Sequence, residues 1–116
     1  MIRLNSNVMT RIALMKSNCT IALERCIQSF QILISTHKDN VDMQDFIEVM
    51  RKGLECCVDC LDACESTQVD RGVKMHKCVE ACDICIVECL KYNLEESTNC
   101  IEACQHCIEE FANILA

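Results

Sequence analysis

Apolar and polar residues alternate with a step of three or four along nearly the whole chain. Between residues 6 and 36, Val8, Ile12, Met15, Cys19, Leu23, Cys26, Phe30 and Leu33 form one continuous apolar stripe. That spacing predicts a long amphipathic helix, with Asn5, Ser6 or Asn7 suited to cap its start. The polar run Ser35-Thr36-His37-Lys38-Asp39-Asn40 reads as a turn. A second helix is predicted over about 41–65, with Met43, Phe46, Met50, Leu54, Cys57, Cys60, Leu61 and Cys64 on its apolar face. Cys56 falls roughly 100° from Cys57, at the edge of that face. The stretch 66–70 reads as a polar loop, with Asp70 or Thr67 as the next cap. Helices follow over about 70–92 and 94–115. Asn93 and Glu96 between them match a capping box, and Phe111 and Leu115 extend the last stripe.

There is no proline and there are only two glycines, Gly53 and Gly72. Long helices joined by short loops favour antiparallel neighbours. The expected fold is therefore all-α: one domain over 1–116, an antiparallel up-down four-helix bundle with a cysteine-lined core. The turns after the first and third helices should share one end. Counted from that end at ~1.5 Å per residue, Cys89 and Cys100 come first, then Cys85 and Cys104, then Cys82 and Cys107. Cys56, Cys57, Cys60 and Cys64 fall in the far half, and Cys19 and Cys26 at middle depth. Phe30, Leu33, Phe46 and Met50 take the place of further cysteines near the turns.

Sulfur is what sets these stripes apart. Cys78, Cys82, Cys85 and Cys89 are spaced four, three and four apart, and Cys100, Cys104 and Cys107 repeat the step. Each set covers an arc of about 60° on a helix. A fraction of cysteine this high would by itself suggest a disulfide scaffold. The total of 13 is odd, however, and thiols along one helix stripe pair poorly with each other. Metal binding or free thiols in a reducing compartment is the better reading.

Five CxxxC pairs occur: Cys56/Cys60, Cys60/Cys64, Cys78/Cys82, Cys85/Cys89 and Cys100/Cys104. Residues four apart stack on one helix face with Cβ atoms ~6 Å apart, a reach that suits near-linear two-coordinate binding of a soft ion. Charge discriminates between metals. A buried zinc held by four thiolates leaves two uncompensated negative charges, which costs several kcal/mol. Thiolates that bridge Cu(I) ions approach one ion per sulfur and a neutral core. The expected cargo is thus several Cu(I) ions per chain, in a bundle that also folds empty because protonated cysteine packs as a small hydrophobe.

The segments CVEACDICIVEC (78–89) and CIEACQHC (100–107) resemble the cysteine-rich four-helix-bundle copper storage proteins, in particular their cytosolic branch. The resemblance is strongest over 56–110. It implies a homotetramer and Cu(I) ligation by Cys56, Cys57, Cys60, Cys64, Cys78, Cys82, Cys85, Cys89, Cys100, Cys104 and Cys107. Cys19 and Cys26 on the first helix complete the candidate set. The chain departs from the family in having few cysteines on its first helix and none in the upper half of its second. The family admits metal at an open end lined by His, Met or Asn. The loop KYNLEESTN here has no histidine, and His37, Met43 and Asn99 are weak substitutes, with a solvated His37 and a core Met43 the simpler expectation.

His76 and His106 point away from the cysteine face and are expected at the surface. Met9, Met15, Met50 and Met75 are expected as core filler. Val79, Ile84, Ile86, Val87, Ile101 and Ile108 flank the stripes and are expected between helices or between subunits. The net charge of −7 argues against nucleic acid and anionic membranes as partners. No apolar run approaches the ~18 residues of a membrane span, and the first residues lack a signal core, so a cytoplasmic location is expected. A copper chaperone or acceptor protein is a natural partner for such cargo. Three histidines off the core assemble no nucleophile–base–orienter set, so no enzyme is expected. Three alternatives stay open: an iron–sulfur protein, a zinc-binding protein, and a bundle whose thiols cycle to disulfides.

Overall fold

The structure, a computed structural model, describes residues 6–65 and 70–115, with side chains from Asn18 onward. Four helices make up the bundle: α1 (Ser6–His37), α2 (Gln44–Glu65), α3 (Arg71–Tyr92) and α4 (Thr98–Leu115). One-turn 3₁₀ segments, Val41–Met43 and Glu95–Ser97, lead into α2 and α4. α1 and α3 each pack on both α2 and α4, the neighbour pattern of an up-down bundle. Among the described residues no helix is long and apolar enough to cross a membrane.

Each stripe becomes one wall of the core. α1 contributes Cys19, Leu23, Cys26, Phe30 and Leu33, and α2 contributes Phe46, Met50, Cys57 and Cys60. α3 buries Met75, Cys78, Cys82, Cys85 and Cys89; α4 buries Cys100, Cys104, Cys107 and Phe111. Met50 and Met75 are core residues, as the spacing predicts. Val8, Met9, Ile12 and Met15 and the proposed caps Asn5, Ser6 and Asn7 fall outside the described side chains, and Thr67 outside the described residues.

One glycine fixes how closely the helices meet. A Cβ on Gly53 would lie 2.7 Å from Cys85 Sγ and 2.9 Å from Phe30 Cζ. Only hydrogen fits there, so α2 can approach α1 and α3 at this level.

The turns differ from expectation in instructive ways. Asn93 does not cap α4. It sits in the left-handed region (φ 51°) and closes α3, its N–H donating to Cys89 O. Asparagine serves either role, and here the left-handed stop wins because a 3₁₀ turn intervenes before α4. Buried Ser97 donates its hydroxyl to Leu94 O at 2.6 Å within that turn. Asp70 precedes α3 without a side-chain capping bond. In the first turn Asn40 Oδ1 accepts from the Asp42 N–H, and Gln44 Nε2 donates back to Asn40 O. Ile84 and Val87 are not buried between helices: they stand 58% and 65% exposed on α3, whereas Val79, Ile86, Ile101 and Ile108 pack against the core.

Candidate metal centre

All 13 cysteines are free thiols, and all but Cys56 and Cys64 are buried. The helical stripes aim them at the bundle axis, and their depths follow from helix rise. Halfway along, the four helices converge on Cys82. Its Sγ forms one triad with Cys26 of α1 and Cys107 of α4, and a second with Cys57 of α2 and Cys78 of α3. Within each triad all sulfurs lie within 4.8 Å of one another. Cys57 Sγ and Cys78 Sγ lie 3.6 Å apart, and Cys26 donates to Ala103 O on α4 at 3.2 Å.

The contacts continue both ways. Away from the turns, Cys60 interacts with Cys78 and Cys64. Toward the turns, Cys104 meets Cys100, which meets Cys89. Three sulfurs act as acceptor nodes. Hydrogen bonds from Cys64 and Cys78 pull the Cys60 thiol down to about 4. Those from Cys104 and Cys89 pull Cys100 down to about 5. Cys82, accepting from Cys104, Cys107, Cys26 and Cys57, is driven well below the ordinary thiol range. The partners move the other way: bonding to the nodes Cys60 and Cys100 raises Cys64 and Cys89. Neighbouring S–H groups thus favour the thiolate form at these three sulfurs over the others.

Three cysteines stand outside this web. Cys85 faces α2 through the Gly53 gap, its Sγ 3.7 Å from Val49 O, and burial pushes its thiol up. Burial, reinforced by the charge of Glu110, raises Cys19 to about 11. Cys56 is half-buried at the edge of the α2 face, beside Lys52, Lys77 and Glu80 in a shallow cleft between α2 and α3. Sequence gives Cys19 and Cys26 equal weight; the structure separates them, since only Cys26 reaches the axis triad.

The turn end is closed by rings. Phe46 packs edge-on against both His37 (centroids 6.0 Å apart) and Tyr92 (5.3 Å). His37 Nε2 lies 2.9 Å from Glu96 Oε1, tying the first turn to the second. His37 is thus half-buried and partnered rather than solvated. Met43 is buried in the core and Asn99 is exposed. Among the described residues, the sets of three His, Cys, Asp or Glu ligand atoms near enough to share an ion are the two sulfur triads, so His37 joins none. His76 is exposed, and His106 is half-buried with Nε2 3.4 Å from Glu110 Oε1. The His37–Glu96 pair and the Gly53 gap join residues distant in sequence; no local pattern announces them.

A cation bonded to sulfur at about 2.3 Å and centred in a sulfur triangle needs edges of about 4 Å. Both triads keep every sulfur–sulfur distance within 4.8 Å, and the Cys57–Cys78 edge is 3.6 Å. Thiolate ligands in a buried core suit soft ions, and the buried clusters can hold a metal ion. No protein-family model, curated protein or solved structure matches the chain.

Proposed function

We propose that the bundle stores several Cu(I) ions per chain in its thiol column, as the copper storage proteins it resembles do. The observation that carries this reading is the linked run of sulfurs from Cys64 through Cys82 to Cys89, almost all of it buried and none of it in disulfides. Monovalent ions replace thiol protons one for one, so the column fills without accumulating buried charge. Divalent zinc in isolated four-thiolate sites would leave uncompensated charge at every site. An iron–sulfur cluster would gather its ligands round one point and use only the sulfurs near Cys82, leaving the buried cysteines that run along the axis on either side without a role.

The protein acts as a binder rather than an enzyme, resides in the cytoplasm, and assembles as a homotetramer that exchanges copper with a carrier protein. An anaerobic Cu(I) titration against a competing chelator tests the reading. The expected result is roughly ten or more ions per chain, in line with soft-ligand preference. Saturation at one to three ions, or zinc bound with equal affinity, refutes storage.

A further inference from the structure

Cys82 is the one sulfur common to both triads. We propose that it bridges two monovalent soft cations, one in the Cys26–Cys82–Cys107 triangle and one in the Cys57–Cys78–Cys82 triangle, and that this two-ion centre fills first. The proposal rests on the storage reading for the identity of the ion, but it concerns a specific place and order of binding.

The argument begins from preorganisation. Elsewhere in the column a CxxxC pair offers two sulfurs on one helix, and a third ligand must be recruited from a neighbour. At Cys82 three ligands per ion already lie within 4.8 Å of one another in the metal-free chain. Little reorganisation opposes binding there, and preorganised ligands retain more of their interaction energy. The five side chains involved are all fully buried, so they are held by packing rather than by solvent-exposed rotamers. They come from all four helices, so occupation ties the bundle together at its middle. The proton balance closes: each Cu(I) that binds a thiol displaces one proton, so two ions entering with two protons leaving do not change the net charge of the centre. Cys60 and Cys100 belong to neither triad.

X-ray absorption of the wild-type chain carrying two equivalents of Cu(I) is the primary test. Short-range Cu–Cu scattering, with sulfur as the only ligand, is expected at this low loading. Its absence, with ions isolated in separate sites, overturns the proposal. Cys82→Ser and Cys89→Ser supply a second arm, because each removes one thiol from the column. In the presence of a strong chelator, Cys82→Ser should lose the two most tightly held ions while Cys89→Ser keeps them. Equal retention by both overturns the bridge. Should Cys82→Ser fail to fold by circular dichroism, the wild-type spectrum decides alone. The storage reading fails separately: a wild-type chain that shows Cu–Cu scattering at two equivalents but saturates there keeps the bridge and loses storage. One that binds about ten ions without early Cu–Cu scattering keeps storage and loses the bridge.

Discussion

At the middle of the bundle all four helices bring sulfur to the core, whereas at the end that carries its two turns α1 and α2 bring rings where α3 and α4 bring Cys89 and Cys100. At the middle, Cys26, Cys57, Cys78, Cys82 and Cys107 crowd together without bonding covalently. At the turn end, Phe30, Phe46 and Met50 fill the same interior and His37, Phe46 and Tyr92 stack above them. Burying rings contributes far more apolar area per residue than burying thiols. The difference teaches a division of labour: the ring-packed end holds the metal-free fold together, and the sulfur-packed middle contributes less to stability but carries the ligands.

Alkaline pH should separate the two regions most. Cys19, raised from 9.0 to about 11, keeps its proton in the folded chain where the unfolded chain has already lost it; Cys85, Cys64 and Cys89 are raised in the same direction. The stability these groups contribute is present below pH 9 and is lost as the pH climbs through the folded values. The melting temperature of the metal-free protein should therefore fall steeply from pH 9 to 11. The metal-loaded protein, its thiols already deprotonated by copper, should melt almost independently of pH over that range. Cys60 and Cys100 run oppositely: their contribution is present above pH 9 and is lost as the pH falls through about 4 for Cys60 and about 5 for Cys100.

Phe46→Ala comes next. Removing this fully buried ring should cost about 3–5 kcal/mol in denaturant unfolding of the metal-free chain. Copper capacity, measured on the folded fraction, should stay at the wild-type value. A large loss of capacity would show that ring packing is needed to hold Cys89 and Cys100 in the store. Gly53→Val tests the joint between the two regions. The new side chain must displace the Phe30 ring and Cys85 Sγ, and overpacking of this kind costs about 1–3 kcal/mol. The smallest effect is expected from Glu96→Gln. It weakens a pair whose carboxylate is 44% exposed, and should change stability by no more than about 1 kcal/mol. A larger change in the rate of copper uptake than in stability would mark the His37–Glu96 tie as a gate.

Helix spans were legible because each apolar stripe is long and unbroken, so α1 to α4 fall within a residue or two of expectation except where 3₁₀ turns precede α2 and α4. The column of sulfurs was legible for the same reason: positions four, three and four apart must share a face. Asn93 was misjudged because asparagine suits both a helix start and a left-handed stop, and the choice depends on the turn that follows. Cys85 lies on the same stripe as Cys82, and only the Gly53 gap on another helix directs it off the axis. The convergence on Cys82 was beyond the reach of spacing, because it depends on the relative rotation of four helices.

The account is tested most directly by anomalous scattering at the copper edge from crystals of the fully loaded protein. It predicts a row of copper peaks inside the bundle, running from the level of Cys60 and Cys64 past Cys82 to Cys89 and Cys100. A single internal peak, or copper confined to the surface around His76 and the acidic side chains, would contradict it.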